Sequence, residues 1–181
     1  MGILKSLVWI IIALLFIFLV GGFFIPEQWM VTRSIVINAK AKKIYPYISQ
    51  FKKMNEWMPA TAKDDSSMKY TYEGPEVGVD SKQSWTSKKF GNGFMQITAA
   101  NPPKSVSYYL YVDLNESQTS LQGNITLTPV DKSTKVTWSE KWTQKSYIKR
   151  WMSSIIKYII VRDFNHSLVD LKNLVENEKK S

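Results

Sequence analysis

The spacing of hydrophobic and polar residues changes several times along the chain, and each change predicts an element. From Ser6 to Pro26 no residue is charged, with Lys5 before the run and Glu27 after it. A helix over Leu7–Ile25 would be roughly 28 Å long, close to the ~30 Å hydrocarbon core of a bilayer. Thr32 to Asn38 then alternates and predicts a strand. Ile44, Tyr45, Ile48 and Phe51 follow at helical steps, with Pro46 in the first turn, where proline is tolerated. Asn55 to Pro59 reads as a second short helix or turn. Six runs of strand character come next: 68–73, 81–87, 93–100, 105–114, 119–129 and 134–143. Gly, Pro, Asn and Asp clusters separate them, as in an antiparallel meander. The last segment, from about Tyr147 to Glu178, carries apolar residues at 148, 152, 155, 159, 164, 168, 171 and 175. It predicts a long amphipathic helix. An exposed sheet face and one long helix with an apolar stripe imply that the helix packs across the sheet. If the sheet curls without filling that space, a cavity remains between them.

The uncharged run is expected to be a single transmembrane anchor. A cleaved signal peptide would have a shorter apolar stretch and small residues at its cleavage site, whereas Gly21-Gly22 is followed by Phe23, Phe24 and Ile25. Residues 1–30 are accordingly read as anchor and stalk, and 31–178 as one domain. Lys5 and the amino group on one flank, against Glu27 and Arg33 on the other, place the N-terminus in the cytoplasm and the domain outside it. The net charge is +9, and the part after the anchor carries +8 once Lys5 is removed. Scattered lysine pairs suit a solvated surface or anionic headgroups, so the lipid bilayer is the expected partner. No nucleic-acid motif accompanies the charge, and none is expected to bind. The chain has no cysteine, which excludes disulfides and thiolate chemistry, and its one histidine cannot build a His-rich metal site. No metal, cofactor or catalytic residue is expected.

Local sequence resembles one superfamily in element after element. Ser34-Ile-Val-Ile-Asn-Ala followed by Ile44-Tyr-Pro-Tyr-Ile-Ser is similar to its opening strand and first helix. Phe51-Lys-Lys-Met-Asn-Glu-Trp, Tyr70-Thr-Tyr-Glu-Gly-Pro, Ser81-Lys-Gln-Ser-Trp85 and Thr134-Lys-Val-Thr-Trp138 follow in the expected order. The chain resembles the START/Bet v 1-like (SRPBCC) superfamily over about residues 31 to 175, and within it the polyketide cyclase/dehydrase and lipid-transport-like branch. The resemblance implies an α+β helix-grip fold: a curved antiparallel sheet of about seven strands wrapped on the C-terminal helix. It also implies a pocket for an apolar or lipid-like ligand.

Strand alternation sorts the candidate pocket residues. Gln83 and Trp85, then Met95, Ile97 and Ala99, share inward faces. Tyr108 and Leu110, then Trp138, Glu140 and Trp142, do the same. Tyr72 is added from the preceding strand, and Ile155 and Ile159 from the long helix. Glu140 is the exception, a carboxyl between two tryptophans. It would either orient a ligand, with Arg162 as a conceivable partner, or sit exposed at the rim where the strand frays; rim exposure is the expectation. His166 lies off the apolar stripe and is expected on the surface. The functional reading is a membrane-anchored binding or carrier domain for a small hydrophobic ligand. The alternatives are a polyketide cyclase/dehydrase-like enzyme and a filled-core interaction domain of the cell envelope.

Overall fold

A computed structural model describes residues 2–114 and 117–178. The chain runs α1 (Gly2–Phe24), β1 (Gln28–Ile37), α2 (Ala41–Ser49) and α3 (Phe51–Met54). Six strands follow: β2 (Lys69–Glu73), β3 (Lys82–Thr86), β4 (Asn92–Asn101), β5 (Ser105–Leu114), β6 (Ser117–Val130) and β7 (Ser133–Thr143). The chain then enters α4 (Tyr147–Asn177). The seven strands form one antiparallel sheet ordered β1-β7-β6-β5-β4-β3-β2. Strand β1 begins at Gln28, four residues before the alternation becomes visible, because Trp29 pairs with Trp142 across the β1–β7 ladder.

Alternation holds best on β7, where Thr134, Val136, Trp138, Glu140 and Trp142 are all buried and Lys135 and Lys141 are exposed. On β4 it fails once. The register passes from Ile97–Tyr108 to Ala99–Ser107, so a bulge intervenes at Thr98. An extra residue on one strand reverses the faces beyond it, and Ala99 is exposed rather than inward.

Helix α4 consists of two unlike halves. In the second, Phe164, Leu168, Leu171 and Val175 are buried against the sheet side of the core. In the first, Ile148, Met152, Ile155 and Ile159 face outward, with Ile155 66% and Ile159 43% exposed. The reason is phase. The expected stripe takes a five-residue step from 159 to 164, which turns about 140° around a helix of 3.6 residues per turn. Stepping back by four from Phe164 instead gives Ile160 and Ile156, and these face the sheet.

Helix α1 is long and apolar enough to cross a membrane, and almost all of it is exposed. Its last turns meet the start of α4. The Tyr147 hydroxyl donates to the backbone carbonyls of Phe18 (2.7 Å) and Leu19. The Trp151 ring stacks on Phe18 with centroids 5.5 Å apart. Both aromatics occupy a notch left by Gly21 and Gly22: a Cβ on Gly22 would lie 2.2 Å from the Tyr147 ring, and one on Gly21 2.9 Å from Trp151. Arg150 reaches Glu27 at 2.5 Å, closing the junction.

Phe164→Ala removes a fully packed ring and is expected to cost about 3–5 kcal/mol. Ile155→Ala, on the outer face, should change stability by less than about 0.5 kcal/mol. Chemical denaturation of the detergent-solubilised chain measures both. A loss at Ile155 equal to that at Phe164 would mean that the two halves of α4 are packed alike.

Candidate functional site

A cavity of about 530 Å³ lies between the first half of α4 and the sheet. Such a volume falls within the ~300–1,000 Å³ typical of small-molecule sites. Its walls are mostly apolar: Met54 and Met58 after α2, Trp85 on β3, Met95 on β4, Leu110 and Val112 on β5, and Ile156 and Ile160 on α4. The cavity is not sealed. Ile156 and Leu114 belong to its wall and are each 39% exposed.

Polar groups enter this wall at Thr61, Tyr70, Asp163, the Asn55–Gln83 pair and Glu140. The Tyr70 hydroxyl accepts from the Ala62 N–H at 3.1 Å, and Asp163 pairs with Arg162 at 3.1 Å. Asn55 and Gln83 form a reciprocal amide pair, with Asn55 Nδ2 donating to Gln83 Oε1 (2.7 Å) and Gln83 Nε2 donating to Asn55 Oδ1 (3.1 Å). That pair satisfies itself across the α3–β3 gap. Glu140 is buried instead of exposed at a frayed rim. Strand β7 does not fray there, because Glu140 has ladder partners on both sides, Val31 on β1 and Gly123 on β6. Arg162 is not its partner; it is exposed and pairs with Asp163.

The partner of Glu140 comes from two strands away. Tyr108, Gly123 and Glu140 are in register across β5, β6 and β7. A Cβ on Gly123 would lie 2.0 Å from the Tyr108 ring. The missing side chain therefore opens a lane through which tyrosine crosses one strand. The Tyr108 hydroxyl donates to Glu140 Oε1 at 2.5 Å and accepts from Trp138 Nε1 at 2.7 Å. Among the described residues nothing hydrogen-bonds the other carboxylate oxygen of Glu140. Burial raises the Glu140 pKa from 4.5 to about 7, and the Tyr108 hydrogen bond opposes that rise. The Tyr108 hydroxyl is pushed well above its ordinary value by burial and by the neighbouring carboxylate. Trp138 is fixed by Phe164 stacked on one face at 3.6 Å and by Trp57 edge-on at 5.3 Å. The arrangement can hold a proton on a carboxyl near neutral pH and present it to a polar group of an otherwise apolar guest.

A family profile described as polyketide cyclase / dehydrase and lipid transport matches residues 28–176, most of the chain. The chain belongs to this family. Among solved structures, MLL2253 from Mesorhizobium loti is 14% identical and aligns over 82% of this chain and 98% of its own, with a TM-score of 0.60. CV1439 from Chromobacterium violaceum is 15% identical over 83% and 97%, with a TM-score of 0.57. Ara h 8.0201 is 11% identical over 83% and 99%, with a TM-score of 0.58. At these identities the likeness is one of fold: a Bet v 1-like curved sheet with a long C-terminal helix. No curated protein matches the chain.

Within this polyketide cyclase / dehydrase and lipid transport fold, six of the residues expected to line the pocket meet at one cavity: Gln83, Trp85, Met95, Leu110, Trp138 and Glu140. Tyr108 is not in the cavity wall and hydrogen-bonds Glu140. The others fall elsewhere. Ile97 is in the packed core. Trp142 is covered by Trp29, stacked at 6.4 Å. Tyr72, on the edge strand, is 45% exposed, and its hydroxyl accepts from Asn55 Nδ2 at 3.3 Å. Ile155 and Ile159 face away, for the reason of phase given above. His166 is exposed, as expected. Alternation and spacing did not single out Met54, Asn55, Met58, Tyr70, Phe90, Ile156 or Ile160. For the two isoleucines a signal existed, the four-residue steps back from Phe164.

The raised pKa of Glu140 has a signed consequence. Between about pH 4.5 and 7 the folded carboxyl keeps a proton that the unfolded one has lost, so stability falls as pH rises through this window. The full loss is on the order of 3 kcal/mol. Denaturation at pH 5 and pH 8 should show it in the parent chain, and Glu140→Gln should remove most of the difference. Equal slopes in the two proteins would contradict the buried, protonated carboxyl. Gly123→Ala closes the lane under Tyr108 and should cost about 1–3 kcal/mol by overpacking. Because the lost Tyr108 bond lowers the Glu140 pKa, its titration by carbonyl-region infrared spectroscopy should move further upward. An unmoved titration would mean that the ring reaches Glu140 by another route.

Proposed function

We propose that the protein is a membrane-anchored carrier domain that binds a small hydrophobic or lipid-like molecule. Residues 1–30 serve as anchor and stalk, residues 31–178 as the binding domain, and the domain stands on the extracytoplasmic side. The observation that carries the reading is the cavity itself, an apolar-walled space of about 530 Å³ with one uncommitted carboxyl oxygen in its wall. A filled core would close this space with side chains, whereas Leu110 and Val112 in its wall are only partly buried. That weighs against a filled-core interaction domain. The family's lipid-transport side fits the same cavity.

In this reading the guest's apolar body lies along Met95, Leu110, Ile156 and Ile160. A carboxyl, hydroxyl or ester oxygen on the guest meets Glu140. Protonated Glu140 donates a hydrogen bond there, and its burial makes that bond stronger than the same contact in water. A second reading, acid–base chemistry of the cyclase/dehydrase kind, draws on the same carboxyl. Its pKa of about 7 suits a group that gives and takes a proton at neutral pH. Asn55 and Gln83 satisfy each other, Asp163 pairs with Arg162 and Tyr70 accepts from the Ala62 N–H, so Glu140 is the group that supports that reading, and binding is the stronger conclusion.

The test is a titration of the full chain in micelles with an environment-sensitive fluorescent fatty acid. Ile160→Trp fills the cavity from α4 and should abolish saturable binding while the chain stays folded by circular dichroism. Glu140→Gln keeps the shape and a neutral donor, so the fall in affinity that the parent chain should show as pH rises above 7 should be absent from this variant. Unchanged saturable binding in Ile160→Trp would place the probe outside the cavity and defeat the carrier reading.

A further inference from the structure

The outer face of the first half of α4 is unlike the rest of the surface. From Lys145 to Arg162 the chain holds five basic residues and no acidic one. Between them Ile148, Met152 and Ile155 are 56–66% exposed, Tyr158 is 73% exposed and Ile159 43%. Arg150 pairs with Glu27 and Arg162 with Asp163, and an exposed apolar stripe flanked by Lys145, Lys149 and Lys157 suits the headgroup–acyl boundary of an anionic bilayer.

The junction with α1 supplies the position. Tyr147 and Trp151 sit in the Gly21–Gly22 notch and touch Phe18, six residues before the end of α1. Six residues rise about 9 Å along a helix. If α1 crosses the membrane, the Tyr147 and Trp151 rings therefore reach about 9 Å inside its end, the depth to which the apolar face of a surface-docked helix is buried at the headgroup–acyl boundary. The outward stripe at 148, 152, 155 and 159 continues from this contact. Ile156 and Ile160 follow Ile155 and Ile159 by one residue, about 100° around the helix, and they line the cavity. One helix thus carries an exposed apolar face and the cavity wall side by side.

We propose that the first half of α4 docks into the surface of the bilayer that α1 spans, so that the cavity mouth at Ile156 and Leu114 opens on lipid rather than on water. A guest then passes between membrane and cavity along one helix without crossing bulk solvent. The glycine notch sets the docking angle. The inference rests on the anchored-carrier reading: docking requires that α1 span the membrane, and guest transfer requires that the cavity bind.

The chain has no native cysteine, so single cysteines report one position each. Nitroxide labels at Ile148→Cys, Ile155→Cys, Leu15→Cys and Asp131→Cys are read in full-length protein in vesicles containing phosphatidylglycerol. Collision with oxygen reports lipid, and collision with a water-soluble nickel chelate reports water. The labels at 148 and 155 should be several-fold more accessible to oxygen, and less to nickel, than the label at the β6–β7 turn, Asp131. Gly22→Leu should return the 155 label to water while the 15 label stays in lipid. Nickel access at 155 equal to that at 131, with 15 in lipid, overturns docking and leaves anchor and carrier intact. Nickel access at 15 overturns the anchor and the docking together. Dipolar broadening at 155 without a gain in oxygen access assigns the face to a second copy and also overturns the proposal. Unchanged oxygen access at 155 in Gly22→Leu overturns the role of the notch.

Discussion

The face-to-face stack of Phe164 on Trp138 determines where α4 can and cannot touch the sheet. The rings lie 3.6 Å apart, with Trp57 closing on the second ring edge-on. Beyond this point toward the C-terminus, Leu168, Leu171 and Val175 pack at steps of three and four, and the helix seals the core. Before it, the side chains facing the sheet are Ile160 and Ile156. Across from them Leu110 and Val112 are only partly buried. The gap between is the cavity. A helix fixed at its middle and C-terminal half, and at its start by Tyr147 and Trp151 on α1, spans this opening as a beam held at both ends. The open volume is thus a consequence of where the large aromatic residues fall in the sequence.

The same stack positions the polar site. Trp138 is held flat by Phe164, so its indole N–H points along the sheet at the Tyr108 hydroxyl, which in turn donates to Glu140. Two neutral donors in series are the least charged means of supporting a buried carboxyl. No cation among the described residues neutralises it, so desolvation dominates and the proton is retained near pH 7. A salt-bridged carboxylate would already be satisfied. A carboxyl with one oxygen bonded and the other bare at the cavity wall is left able to recognise a guest.

Much of the fold was legible because it follows two periods. Alternation placed Gln83, Trp85, Met95, Leu110, Trp138 and Glu140 on inward faces, and all six meet at the cavity. It failed at Ala99, where a bulge inserts one residue that no composition signal marks. Parity also cannot tell cavity wall from sealed core. Ile97 and Trp142 point inward, but one is packed by neighbouring strands and the other capped by Trp29. Helical periodicity misled over Ile155 and Ile159 because both halves of α4 carry apolar stripes on different faces. A two-faced helix looks like one stripe when its phase is not followed through the five-residue step. Glu140 was placed inward by alternation and then expected at a frayed rim. Its stabilising partner, Tyr108, acts across the side-chain-free position Gly123, a contact between strands 32 residues apart in sequence.

A carrier of this kind holds its apolar guest in the space between the sheet and the first half of α4. Photo-crosslinking with a diazirine-bearing fatty acid, followed by peptide mapping, tests this most directly. Adducts should concentrate on Met95, Leu110, Ile156 and Ile160 and fall away when an unlabelled fatty acid competes. Adducts confined to α1 and to the outward residues Ile148, Met152 and Ile155, insensitive to competitor, would mean that the guest only coats the surface and that the cavity is not its site.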